Sequence, residues 1–452
     1  MNSHQRLFRI VPLGVLLLAS QAQATDGYFA NGYGMKSIGM GGAAAALALE
    51  PFGGAVNPGA MSFLDSQWQL GLSWFSPDRS ASRSGSGTFN GTPTGGFGID
   101  GGATSGSTNF FIPEFAVNWK YRSDLAFGLT VTGNGGMNTN YAGGQIPAMS
   151  ACAGFNPKAG PYNLLCGNGN LGVDLTQLMI APSASWQFTP GQSIGIAPII
   201  AYQRFKAEGL QAFDNPVFST SMGSVTNNGY SDSWGGGVRI GYMGQFGKQF
   251  SVGAAYATKI SMGEFDKYKG LYAQAGKFDI PSNFTLGAAV RPTEQWLLAL
   301  DFERIFYSDS KSVSNPSSLI GNCYAGQKDA CLGGSNGAGF GWQDINVWKL
   351  GVQYAMNESW TLRGGFNHSG NPIRPQDVTF NMIAPGVVQK QWTLGATWKL
   401  NAQAEITGAF MYAQNNSVTG TSLLQGFGAP PTTTETISMK ETQLGIAYSR
   451  KF

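Results

Sequence analysis

Four cysteines and one interior histidine are the side chains of this chain with the most chemistry to offer. Cys152 with Cys166 and Cys323 with Cys331 form two local pairs, each inside a Gly/Asn/Pro-rich stretch. Neither pair has Cys-x-x-Cys spacing or a nearby histidine, which argues against a zinc site; no metal is expected. Short separations favour nearest-neighbour disulfides over the crossed connectivities, provided that the compartment is oxidising. The two histidines are His4 and His368. Hydrolase chemistry would rest on His368 alone, and its position in step with Phe366 at a strand end suits an interface belt better than a general base. The run Gly39-Met40-Gly41-Gly42 follows no strand and lacks dinucleotide spacing, so no cofactor is expected and no catalytic residue is assigned.

The elements that carry these residues begin after a leader. Arg6 and Arg9 precede an apolar stretch from Ile10 to Ala19, and Ala22-Gln23-Ala24 is a small-x-small site, so residues 1–24 read as a secretory signal peptide. Beyond it no run is long and apolar enough for a membrane helix. Alternation takes over instead. At the end of the chain Leu444, Ile446, Tyr448 and Phe452 would face lipid, and Gln443, Gly445, Ala447, Ser449 and Lys451 a lumen.

The same period of two recurs at Trp68-Leu70-Leu72-Trp74, Phe115-Val117-Trp119-Tyr121, Leu125-Phe127-Leu129-Val131, Ile194-Ile196 and Trp296-Leu298-Leu300-Phe302. About fourteen such segments can be counted. Short polar turns such as Arg122-Ser123-Asp124 and Thr189-Pro190-Gly191 alternate with long stretches near residues 77–110, 135–172, 207–231, 261–280, 308–341, 369–389 and 414–435. The short side is read as periplasmic and the long side as extracellular, the first long loop being Gly/Ser/Thr-rich and mobile. Backbone groups in hydrocarbon must all be paired, so the hairpins close on themselves. The fold expected is all-β: a transmembrane antiparallel β-barrel spanning residues 66–452.

Composition agrees. Gly supplies 65 of 452 residues and charged residues only 12%, outside the range of an ordinary soluble domain, while a mean hydropathy of -0.10 reflects the averaging of two opposite faces. A net charge of +3 does not suggest nucleic acid. Glu114, Lys120, Arg239, Asp301, Glu303, Lys349, Arg363, Lys399, Glu405 and Glu441 fall on the face opposite the apolar one. Turned to mid-bilayer lipid, each Arg or Lys would cost about 2–4 kcal/mol, so they face inward and pair as braces.

Residues 25–65 do not alternate. Their small side chains, Gly39 to Ala46 and then Asn57-Pro58-Gly59-Ala60-Met61, suit a plug packed inside the tube; a free periplasmic arm is the alternative. Apolar clusters in two long loops, Leu210, Phe213, Phe218 and Met222, then Phe265, Tyr268, Leu271 and Tyr272, could line an extracellular groove or pack on themselves.

Gly-Met-Gly-Gly-Ala followed by Asn-Pro-x-x-Met resembles the hatch of FadL-type outer-membrane transporters, which carry long-chain fatty acids or aromatic hydrocarbons. Phe340-Gly341-Trp342-Gln343-Asp344 to Lys349-Leu350-Gly351, Trp360 to Phe366, and Asn371-Pro372-Ile373 are similar to that family too. The resemblance implies a monomeric barrel of 14 strands, a hatch within residues 25–65 that includes Gly41, Gly42, Asn57 and Pro58, and a kinked third strand that opens the wall. It implies uptake of a hydrophobic small molecule, with outer-membrane lipid and lipopolysaccharide as surroundings. A general diffusion porin is the competing class, and the small-residue plug counts against it. Here Leu125 to Thr132 runs into Gly133-Asn134-Gly135-Gly136, where glycine permits a bulge or bend. Tyr28 and Phe29 in the hatch, with Leu210, Phe213, Phe218, Phe265, Tyr268 and Leu271, are the candidate ligand contacts. Tyr202-Gln203-Arg204-Phe205-Lys206 resembles the segment that carries a binding arginine, although alternation sets Arg204 with Tyr202 on the outer face. Gln343 is neutral where fatty-acid carriers have a basic residue, which fits an uncharged substrate.

Overall fold

The structure, a computed structural model, describes residues 26–87 and 98–452. The expected signal peptide and the middle of the Gly/Ser/Thr-rich loop lie outside the described residues. Among the described residues no helix is long and apolar enough to cross a membrane. The wall is built of strands: β1 Gln67–Ser84, β2 Phe110–Lys120, β3 Leu125–Asn138, β4 Gly172–Thr189, β5 Gln192–Glu208, β6 Ser231–Phe246, β7 Phe250–Ala257, β8 Asn283–Val290, β9 Trp296–Ile305, β10 Ile345–Ala355, β11 Trp360–Ser369, β12 Lys390–Lys399, β13 Ala404–Thr421 and β14 Thr434–Lys451. Each pairs antiparallel with its neighbours in sequence. β14 returns to β1 from Gln67↔Lys451 to Ser84↔Thr434, and this closes the sheet into a barrel of 14 strands. Two short strands, Gly101–Thr104 on β1 and Ser261–Met262 on β6, fold back from the loops onto the rim.

Period-two alternation positions the side chains. Leu70, Leu394 and Ile446 are 53%, 63% and 57% exposed on the protein alone, and so form part of the lipid-facing band, while Gln69, Thr393 and Ala447 on the other parity are buried inside. At the end of the chain Leu444, Ile446 and Phe452 face out and Gln443, Gly445 and Ser449 face in, as the alternation requires. Lys399, expected inside, is exposed at the periplasmic mouth beside Glu405.

The strands rise further than hydrophobicity suggests. Residues 77–84 and 434–435, assigned above to loops, are paired wall: Ser80, Ser82 and Ser84 sit opposite Ser438, Thr436 and Thr434. Beyond the bilayer the ladder continues without a lipid-facing side to keep apolar, so the alternation fades while the pairing does not.

Both local disulfides form, Cys152–Cys166 and Cys323–Cys331. The second stiffens the loop between β9 and β10 where it meets the loop after β5: Cys323 Sγ lies 3.0 Å from the Val217 carbonyl and the Leu332 amide donates to Phe218 O. Serine at both Cys323 and Cys331 should therefore loosen the extracellular loops and leave the wall intact. Expected are faster amide exchange around 217–220 and 319–332 and unchanged heat-modifiable migration on a gel; a barrel that fails to assemble would contradict this account.

Candidate functional site

Residues 26–65 lie inside the barrel, held by its inward charges. Asp301 of β9 accepts from the amides of Ala44 and Ala45, each at 2.8 Å. Glu114 of β2 accepts from the Gly34 amide at 3.1 Å. Within the segment, Glu50 caps the short helix Met35–Ile38 by accepting from Ser37 N at 2.7 Å and Lys36 N at 3.2 Å, and Gln69 of β1 donates to the same carboxylate. Lys36 pairs with Glu405 of β13. The expected bracing role holds for Lys349 and Glu303, 2.7 Å apart; Asp301 and Glu114 instead hold backbone amides of the hatch, which composition cannot reveal.

The small residues of the hatch are explained by close approach. Gly41 and Gly42 have φ of +67° and +85°, and a Cβ on Gly41 would stand 2.8 Å from the Phe366 amide of β11. Asn57 accepts from Gly59 N, and its amide donates to the carbonyls of Ala45 and Tyr242 at 2.7 and 2.8 Å, joining the hatch to itself and to β6. Pro58 opens the turn of 3-10 helix Pro58–Phe63 that rests on β4, β5 and β6.

The four residues Gly133, Asn134, Gly135 and Gly136 mark a break in the wall. β2 and β3 pair from Lys120↔Ala126 up to Phe115↔Val131 and then part. Continuing that register would set Pro113 opposite Gly133 and Phe111 opposite Gly135, and neither pair forms. Above the break β3 stays on β4 through a bulge between Gly133 and Gly135 and loses its alternation, residues 131–138 all being buried. It bends inward onto the hatch: Phe29 bridges to Gly135, and the Ala30 amide donates to Asn134 O. The gap is roofed where the Gly106 amide donates to Asn140 O and Ser105 bridges to Tyr141. A shorter interruption, between β4 and β5 at Pro182 and Pro198, closes again within a few residues.

The window has a lining on each side. Outside is a polar cleft edged by Thr108, Phe110, Asn138 and Asn140; inside is a small cavity between Tyr28, Gly136, Met137, Asn138, Trp342 and Met439. Tyr28 and Phe29 are thus brought to the window, packed with three aromatics that periodicity did not single out: Tyr28 lies 5.5 Å from Tyr307, 5.8 Å from Trp342 and 6.0 Å from Phe278, ring to ring. Phe278 in turn meets Tyr272 at 4.9 Å, and Tyr272 lines an apolar extracellular groove with Leu210, Phe213, Leu271, Phe340 and Phe380. Leu210, Phe213 and Leu271 therefore converge on that groove, with Phe218 packed behind Phe213. Phe265 and Tyr268 do not line it: they are fully buried against Phe205 and form the loop's own core.

Arg204 is a correction. It lies on the outer face of β5, its guanidinium 4.0 Å from the Tyr230 ring centroid, and does not reach the groove. His368 is likewise exposed, stacked on Phe366 at the outer end of β11. Gln343 is exposed in a loop and donates to the Asn371 carbonyl.

Residues 161–452 match the family described as "Outer membrane protein transport protein (OMPP1/FadL/TodX)". The chain belongs to this family. It is an outer-membrane protein, and FadL/TodX members are transport channels for hydrophobic compounds. The fold is that of the Pseudomonas putida toluene transporter TodX, with a TM-score of 0.64 at 17% identity over 93% of this chain and 99% of that one. A Pseudomonas aeruginosa FadL homologue gives 0.65 at 15% identity, over 94% and 100% of the two chains. The CymD monoaromatic hydrocarbon channel gives 0.52 at 15%, over 93% and 98%. No curated protein matches the chain.

Proposed function

We propose that this channel takes an uncharged monoaromatic compound from the extracellular groove, passes it along the aromatic trail to the hatch, and releases it sideways into the outer membrane between β2 and β3. The observation that carries the reading is continuity: Tyr272, Phe278 and Tyr28 link the groove to the cavity behind the window, and Asn138 lines both that cavity and the outer cleft. An apolar solute gains about 0.8 kcal/mol per buried methylene over water, so an unbroken greasy path suits it and a wet pore does not. Among the described residues the groove's lining holds no Arg or Lys, and Arg204 faces away, which supports an uncharged substrate over a carboxylate. TodX and CymD, described as toluene and monoaromatic hydrocarbon channels, point to the same class.

A charge on the trail tests this. Phe278→Glu buries an unpaired carboxylate between Tyr28 and Tyr272, at a cost of several kcal/mol, and should reduce toluene uptake by cells about tenfold or more. Heat-modifiable migration serves as the assembly control. Uptake equal to wild type in an assembled variant would sink the proposed route.

A further inference from the structure

The inner wall of the window cavity carries polar groups that a pure hydrocarbon would leave unused. Arg79 of β1 lines the cavity and is 3% exposed; one guanidinium nitrogen donates to the Ser107 carbonyl at the roof, and its carbon sits 5.8 Å from the Phe110 ring centroid. Arg79 Nε has no hydrogen-bond partner among the described residues. Across the β1–β14 seam Arg79 faces Met439, which also lines the cavity, and Glu441 is the next inward residue along β14. Glu441 is 1% exposed, and both of its carboxyl oxygens lack partners among the described residues, as do the hydroxyls of Tyr28 and Tyr141. Tyr141 and Glu441 are the inward groups whose fields act on Arg79. Buried polar atoms are nearly always satisfied, so two orphaned atoms on the cavity's lining, Arg79 Nε and the Tyr28 hydroxyl, with three more on Glu441 and Tyr141 near enough to act on Arg79, mark a place built for a polar visitor.

We propose that Arg79 and Glu441, with the Tyr28 and Tyr141 hydroxyls, form a head-group site at the inner mouth of the window that selects phenol-class aromatics over bare hydrocarbons. A phenolic oxygen accepts from Arg79 Nε, and its proton is donated to Glu441. Arg79 alone would equally favour a carboxylate, but a carboxylate has no proton to donate to Glu441, so an uncharged hydroxyl is the group that uses both. The ring then lies against Tyr28 and Trp342, while the Met137 and Met439 thioethers, which have several rotatable bonds, adjust to its width. This inference rests on the transport reading above and adds the substrate's polar group.

The test is calorimetric titration of the full protein in lipid nanodiscs with p-cresol, toluene and p-toluate, which share a ring and methyl group and differ in the head. Expected is p-cresol binding about tenfold or more tighter than toluene, the usual worth of a charge-assisted hydrogen bond, with p-toluate weakest. Arg79→Met should remove the preference for cresol over toluene. Glu441→Gln keeps the side-chain shape and should narrow the gap between cresol and toluene, so it carries the test if the arginine variant does not assemble. Equal binding of cresol and toluene would mean that water satisfies the orphaned groups, and would overturn the inference while sparing the transport reading. Tightest binding by p-toluate would overturn it in favour of an anion site. Binding of none of the three would overturn both.

Discussion

Deleting residues 26–65 should turn a nearly silent protein into an open pore, with single-channel conductance about tenfold or more above wild type, since a barrel of this size with an empty lumen holds continuous water. The hatch fills the lumen from the turn Pro58–Phe63 on β4, β5 and β6 to Phe29 on β3. The wall does not depend on it. Strand pairing closes from β1 to β14 without any hatch residue, and the carboxylates that lose their hatch partners, Asp301 and Glu114, would meet water and not lipid. A milder variant separates loss of the plug from loss of its fastening. Asp301→Ala removes the acceptor of two backbone amides and leaves the segment in place, at a cost of about 1.5–3 kcal/mol for each charge-assisted bond lost. It should give brief, flickering openings and not a stable pore. Planar-bilayer recordings decide the matter: a deletion variant that assembles yet conducts like wild type would mean that residues 26–65 do not block the lumen.

Which parts of this were legible beforehand follows from where the membrane imposes a rule. Within the bilayer, lipid forces one parity apolar, so Leu70, Leu444 and Ile446 could be assigned to the outer face from the residues alone. Above it nothing forces the pattern, and Ser80 to Ser84 read as loop though they pair with β14 over every residue. The glycines of Gly133 to Gly136 marked the bend because a bulge needs residues without packing demands. What the bend packs against was not legible: Phe29 on Gly135 joins residues far apart in the chain, and no local pattern records such a contact. The groove was half visible for the same reason. Leu210, Phe213 and Leu271 belong to the two loop clusters visible in the sequence, whereas Phe340 and Phe380 come from two other loops, and Phe265 and Tyr268, in the same cluster as Leu271, serve the loop core behind it. Lys399 apart, the inward charges lie in the lumen as alternation assigned them, but whether one meets another charge, as Lys349 does, or a backbone amide, as Asp301 does, depends on the hatch's path.

Straightening β3 should abolish release while leaving the barrel assembled. Valine at Gly133, Gly135 and Gly136 together favours an extended strand and fills the positions where the chain now bends and meets Phe29. Side chains there would push the hatch backbone off Asn134–Gly135 and drive β3 back toward β2, whose free edge from Phe110 to Glu114 offers the missing partners. Pro113 limits how complete that repair can be, because it has no amide to give to the ladder. Uptake of a monoaromatic substrate should fall about tenfold or more, and binding at the groove, which lies above the bend among Leu210, Phe213 and Leu271, should be retained. That combination, capture without release, is what a sideways exit requires. Two measurements on the same preparation are needed: substrate affinity by titration, and uptake rate in cells normalised to heat-modifiable barrel. If the triple variant keeps wild-type uptake, the substrate leaves downward past a displaced hatch, and the Asp301→Ala variant should then transport faster than wild type. If instead its uptake is lost and Asp301→Ala transports no faster, the hatch serves as a fixed floor that turns the substrate toward the window, and the break between Phe115–Val131 and the Ser105–Tyr141 roof is the exit.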